Sequence, residues 1–183
     1  AGGNVMVVYS PLAALDSVAQ QKNTQFIFAA VGFETTAPIY ALMVQEMIKR
    51  GIDNLRLLTS LKTILPAMEY ICGNEDAIDA FLCPGHVSVI TGSNIYESLA
   101  EKYQKPFVVG GFEGEHIIAA IYEILRQLQL GEHTVKNMYT GVVSSKGNIK
   151  ALNLLNEYYD ISDVYWRGIG IIKNSALRLK KEY

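Results

Sequence analysis

Three short segments hold the residues best able to do chemistry. Gly32-Phe33-Glu34-Thr35-Thr36-Ala37-Pro38 places a carboxylate and two hydroxyls beside a glycine. Pro84-Gly85-His86-Val87-Ser88 offers an imidazole and a hydroxyl, and Gly110-Gly111-Phe112-Glu113 offers a second carboxylate behind two glycines. Carboxylates and imidazoles are the groups that move protons, hold hydrogen-bonding partners and ligate metals. A fourth segment, Ser60-Leu61-Lys62-Thr63, adds a hydroxyl and an ammonium.

Each of these segments has a plainer reading. Thr35 or Thr36 caps the helix that follows, with Pro38 in its first turn. Glu113 suits the positive end of the next helix. Ser88 and Thr91 read as turn and capping residues, Lys62 as a surface lysine, and His86, taken alone, as a hydrogen-bonding core histidine. His116 and His133 read as surface residues. Cys72 reads as a helix core residue and Cys83 as a small apolar residue at a strand end.

The elements that must position these groups follow from periodicity. Strands are expected at Val5–Tyr9, Gln25–Val31, Leu55–Thr59, Ala80–Cys83 and Phe107–Val109. Helices are expected over 12–21, 39–49, from Pro66 to Gly73, 94–103 and 115–130. Five alternations of strand and helix predict an α/β fold: a doubly wound, mostly parallel sheet of five or more strands, Rossmann-like or flavodoxin-like. The core spans about 5–130 of a single domain, 1–183. Residues 131–183 add a strand–helix–strand segment, with strands at 135–143 and 164–172, a helix over 149–159 and a solvated basic end at 178–181. The opening residues, running straight into a strand, read as a piece excised from a longer multidomain protein.

In a parallel sheet every strand-to-helix loop lies along one edge, where such folds bind their ligands. That edge would gather Ser10, Glu34, Thr35, Thr36, Ser60, Lys62, His86, Ser88 and Glu113, with glycines 32, 85, 110 and 111 letting backbone come close.

Composition narrows the function. The chain has 183 residues, half of them apolar, with a formal net charge of -2. No basic stripe points to nucleic acid and no apolar run approaches a membrane span, and so few cysteines in a domain of this size suit a reduced, cytoplasmic protein. Two cysteines match no zinc or iron–sulfur spacing. No Gly-x-Gly-x-x-Gly follows the first strand, and neither a Walker loop nor Gly-x-Ser-x-Gly is present, which disfavours the common dinucleotide, nucleotide and hydrolase chemistries.

Taken together and in order, Gly32–Pro38, Pro84–Ser88, Gly111-Phe112-Glu113 and Trp166-Arg167-Gly168-Ile169-Gly170 resemble the HypD family of NiFe-hydrogenase maturation proteins. Val8–Leu12 and Pro66-Ala67-Met68 fit the same pattern. The resemblance implies a scaffold on which an iron acquires cyanide and carbon monoxide ligands before insertion of the Fe(CN)2CO group. The scaffold works with a HypC-like chaperone and a HypE-like cyanide donor. It further implies that the motifs of Glu34, His86 and Glu113 line a cleft, so Glu34, Thr35, Thr36, His86 and Glu113 are the expected site residues; Lys62 and Ser88, placed only by their predicted edge loops, are weaker cofactor-binding candidates.

The family's Cys-Gly-Thr-His and Gly-Pro-Gly-Cys-Pro-x-Cys segments and its C-terminal cluster cysteines are absent from this chain. Glycine follows Gly111-Phe112-Glu113 where the family usually has proline. Iron and a 4Fe–4S cluster are therefore implied for the full-length family, with no metal ligand or cofactor expected in this piece, and a metallocentre assembly scaffold is expected rather than a self-contained enzyme. The alternative is a Rossmann-like enzyme or binding domain that takes an anionic small metabolite at the helix N-termini of the same edge.

Overall fold

The computed structural model describes residues 2–183. Helix α1 (Pro11–Gln20) starts on a proline in its first turn and buries Ala14, Leu15 and Val18. Strand β1 (Phe26–Gly32) follows, then α2 (Ala37–Arg50) and β2 (Leu55–Lys62). Helix α2 has Pro38 in its first turn, Lys49 and Arg50 in its last, and Gly51 as a left-handed stop. Helix α3 (Ile64–Asn74) leads to β3 (Phe81–Pro84), α4 (Gly85–Thr91), a 3-10 turn at Asn94–Tyr96, and α5 (Glu97–Tyr103). Then come β4 (Phe107–Gly110), α6 (Gly114–Leu130), β5 (Val135–Asn137), α7 (Ile149–Tyr158), and a hairpin of β6 (Tyr159–Trp166) and β7 (Gly170–Leu179).

The fold is α/β, but its strands form two sheets. The first has the order β1-β2-β7-β6 and is mixed: β1 and β2 are parallel, while β7 is antiparallel to both its neighbours. The second, β3-β4-β5, is wholly parallel. The expectation of one doubly wound sheet therefore gives way to two smaller ones. The physical reason lies at the end of β2. There Leu61 and Lys62 pair with Leu177 and Ala176 of β7, more than a hundred residues away, so β3 nucleates a sheet of its own. Local periodicity carries no information on such distant pairing.

Four local expectations are corrected as well. Val5–Tyr9 belongs to no strand and bends at Tyr9, and Val5, Val7 and Tyr9 are exposed. The 135–143 strand stops at Asn137, because its side chain accepts from Tyr139 N–H and donates to Val143 C=O, pinning a turn. The 164–172 strand is a hairpin: Arg167–Ile169 form its turn, Gly168 takes φ 85°, and Ile169 N–H donates to Trp166 C=O. The basic end is solvated as expected at Arg178 and Lys181, but Arg178 and Leu179 complete β7, and Lys180 N–H donates to Tyr158 C=O.

The core has three apolar clusters. Leu15, Val18 and Met43 of the first two helices meet Leu55, with Phe26 and Phe28 of β1 against them. Ala37, Ala41 and Val44 of α2 pack with Leu61, Leu155, Tyr158 and Leu177, so α7 and the hairpin finish the first sheet's inner face. The second sheet is built on Cys83, Phe107 and Val109 against Tyr96, Leu99 and Met68, with the rings of Phe81 and Phe107 stacked 4.7 Å apart. Thr63 N–H to Ser175 C=O at 3.0 Å extends the β2–β7 pairing, and Asn148 N–H to Ile90 C=O at 2.9 Å ties the start of α7 to α4.

Candidate functional site

The candidate residues divide between the carboxyl ends of the two sheets. At the first sheet, β1 ends in Gly32 at φ 150°, where a Cβ would collide with the Thr36 hydroxyl. Thr36 stands at the start of α2 but does not cap it with its side chain. The hydroxyl instead donates backward to Phe33 C=O at 3.1 Å, and Thr36 N–H donates to the same oxygen. This closes a tight turn that points Thr35 outward and Glu34 inward, at 5% exposure.

Glu34 accepts a hydrogen bond on Oε1 from Ile64 N–H, the first residue of α3, at 2.8 Å. It thus satisfies one of the helix's free amide donors from another element. Its Oε2 is buried and has no partner among the described residues. Burial pushes the carboxyl above the usual range, against the opposing effect of the Ile64 amide. The carboxylate is therefore a clasp between β1 and α3 with one acceptor left over.

Beside it, Lys62 at the end of β2 lays its ammonium 4.3 Å from the Trp166 ring centroid, a cation–π contact. Trp166 Nε1–H donates to Ser175 Oγ at 2.9 Å, and Ser175 Oγ donates to Ile172 C=O at 2.8 Å. Phe33 completes the group, its ring 6.0 Å from that of Trp166. Lys62 is thus a half-buried residue held by an aromatic face, not a free surface lysine.

At the second sheet three consecutive strand ends converge. His86 lies in the first turn of α4, exposed, with its ring 4.3 Å from that of Phe112. The expectation of a core histidine is overturned because Pro84-Gly85-His86 opens a helix whose buried side is Gly85, Val87 and Ser88. Gly85 must be glycine: a Cβ would lie 2.5 Å from Gly110 C=O and 3.1 Å from the Tyr139 ring. Ser88 is fully buried, donating to Pro84 C=O at 2.9 Å and pairing with Tyr96 OH at 3.1 Å, which makes it a structural pin.

Glu113 stands at the start of α6 and is exposed. Its Oε2 lies 2.6 Å from His116 Nδ1, and the His116 ring lies 5.1 Å from that of Tyr139. Its own backbone N–H and the His116 contact hold the Glu113 carboxyl below the usual range. An ionised carboxylate only accepts, so His116 Nδ1 carries the proton and Nε2 is the ring atom left for another partner. His116 and Tyr139 are the members of this group that sequence reasoning missed. The three-residue spacing of Glu113 and His116 at a helix start was the available signal.

The two groups do not merge into the single edge expected from sequence. Among the described residues, no hydrogen bond or ion pair joins Glu34, Thr36 or Lys62 to His86 or Glu113. Ser10 precedes α1 without a strand before it. Cys72 and Cys83 are buried in the second sheet's core, and burial pushes both thiols up. No group of three or more His, Cys, Asp or Glu among the described residues is arranged to hold a metal. No helix among them is long and apolar enough to cross a membrane.

Comparison with known proteins decides the family. A family profile described as HypD, "Hydrogenase formation hypA family", matches residues 1–183. The chain belongs to the HypD family. A putative hydrogenase expression/formation protein of Methanocaldococcus jannaschii is 38% identical over 182 residues, covering 100% of this chain and 51% of that protein. The hydrogenase maturation factor HypD of Escherichia coli is 32% identical over 184 residues, covering 100% of this chain and 49% of that protein. HypD1 of Bradyrhizobium diazoefficiens is 33% identical over 190 residues, covering 100% and 50%. The chain spans about half the length of these curated HypD relatives.

Proposed function

We propose that this chain is half of a HypD-like maturation scaffold, acting in the cytoplasm on the assembly of the Fe(CN)2CO group for NiFe-hydrogenase. In this reading a HypC-like chaperone and a HypE-like cyanide donor are its partners, and the iron under assembly is cargo. The observation that carries the reading is the match of the whole chain to hydrogenase maturation factors.

The geometry supports a division of labour in this scaffold. Glu34 holds α3 against β1 and so fixes how the two sheet ends stand to one another. The exposed group of His86, Phe112, Glu113 and His116 presents two imidazoles and an ionised carboxylate to whatever docks on the second sheet's edge. These are hydrogen-bonding and proton-holding groups, suited to work around iron ligated elsewhere. Thr35, exposed in the first turn, is available to the same partner.

The test is complementation of a strain lacking its own HypD with the full-length protein. Glu34→Ala and His86→Ala are each expected to cut hydrogenase activity at least tenfold per accumulated protein, with His86→Ala accumulating normally and Glu34→Ala at a reduced level. Infrared bands of bound cyanide and carbon monoxide on the isolated full-length protein should fall in parallel. Full maturation by both variants would overturn the site; failure of the unsubstituted full-length protein to restore any activity would overturn the function.

A further inference from the structure

We infer that the outer face of β1 and β2 is an interaction surface for the remaining half of the longer polypeptide, resting on the reading of this chain as half of a HypD-like scaffold. Alternation along β1 turns Phe26, Phe28 and Ala30 inward and Ile27, Ala29 and Val31 outward. The parallel register places Arg56, Leu58 and Ser60 of β2 beside them on the same outer face. Ile27 is 74% exposed, Val31 60% and Leu58 65%. Arg56 folds back, donating to the Asp53 and Leu55 carbonyls, and leaves the apolar centre uninterrupted.

Parallel strand pairs are normally covered on both faces, because their helical crossovers pack there. Here the apolar contacts of α1, α2 and α7 fall on the inner residues of β1 and β2 and on β7. The outer face therefore carries a core's worth of side chains without its second layer. β1 is also the terminal strand of its sheet. Along it runs a cleft of about 850 Å³, bounded on its other side by Val5, Met6 and Val8 and by Ala14 and Val18 of α1. The bare face and the open edge thus adjoin, which is what a fold cut from a larger one presents.

The occupant follows from length. Relatives matched over all of this chain are about twice as long. A covalently joined partner of equal size is held at high effective concentration, so even a modest apolar face suffices to seat it. A second copy of the chain has no such advantage.

The test uses the full-length polypeptide with single substitutions Val31→Cys and Leu58→Cys on the face, and Glu101→Cys as an exposed control on α5. Native-state thiol labelling is followed site by site by mass spectrometry, with rates in denaturant as the reference. Labelling at 31 and 58 is expected to be at least tenfold slower than at 101 and independent of protein concentration. Ser60→Cys, nearly isosteric and on the same face, gives the same reading if either larger substitution fails to fold. Labelling at the control rate would overturn the inference. So would shielding that appears only as concentration rises, which would assign the face to a second copy. Because no readout involves hydrogenase maturation, failure here and failure of the scaffold reading remain separate results.

Discussion

The tripeptide Gly-Phe-Glu occurs twice, at 32–34 and 111–113, each time between a strand of a parallel pair and a helix, and the two carboxylates end in opposite states. Glu34 turns inward, holds a backbone amide of α3, and is pushed above the usual carboxylate range by burial. Glu113 turns outward, meets His116, and is held below that range. The glycines differ too. At Gly32, with φ 150°, a Cβ would meet the Thr36 hydroxyl, which is tied to backbone, whereas a Cβ at Gly111 would lie 2.5 Å from His116 Nδ1 and 3.0 Å from Glu113 Oε2. One tripeptide thus serves as a structural clasp in one sheet and as a presented polar group in the other. Environment, not the motif, assigns the chemistry.

The largest break in this comparison is expected from the glycines. Gly32→Ala combines a disfavoured φ with a clash against an anchored side chain and should cost roughly 3 kcal/mol of folding stability in urea titrations. Gly111→Ala should leave the denaturation midpoint much closer to the parent, because the side chains it meets can swing away. Its effect should instead be a rise of the Glu113 carboxyl toward its ordinary value, read by NMR titration. Equal losses of stability would mean that the second site is as structural as the first.

Next in size is the clasp itself. Glu34→Ala strands the Ile64 amide and should cost about 2 kcal/mol. Glu34→Gln keeps an acceptor and removes the buried charge, so it should equal or exceed the parent in stability at neutral pH. The sign of the pH dependence follows from the raised carboxyl. Glu34's contribution is full below the ordinary value of 4.5 and declines as pH rises above it toward the folded-state value. Denaturation measured from pH 4 to 8 should show this decline in the parent and lose it in Glu34→Gln. Glu113 has the opposite sign, contributing above its ordinary value and less as pH falls below it.

The smallest effect is expected at the exposed dyad. His116→Ala should not measurably move Tm, since both partners reach solvent. It should release the Glu113 carboxyl upward by NMR and, in the complementation assay, weaken maturation. A large fall in Tm would place His116 among the structural residues.

Much of this was legible locally. Apolar spacing located α1, α2, α6 and α7, and the Gly-Phe-Glu and Pro-Gly-His segments do lie where strands meet helices. What could not be read was partnership. That Glu34 seeks Ile64, that Lys62 lies over Trp166, and that β2 pairs with β7 are contacts across 30 to more than 100 residues. No periodicity encodes such distances. Val5–Tyr9 misled for the same reason: its residues suit a strand, but a strand exists only with a neighbour to bond.

By itself the sequence determined the family pattern, the long helices and the strand-to-helix junctions that carry the motifs, because these depend on side-chain periodicity, glycine and proline within a few residues. Only the tertiary structure decided that there are two sheets and that Glu34 is buried while Glu113 is exposed. It alone showed that His116 joins the site and that β1 and β2 keep one apolar face uncovered. Each of these is set by which distant surfaces meet and exclude water, a property of the packed chain and not of any segment.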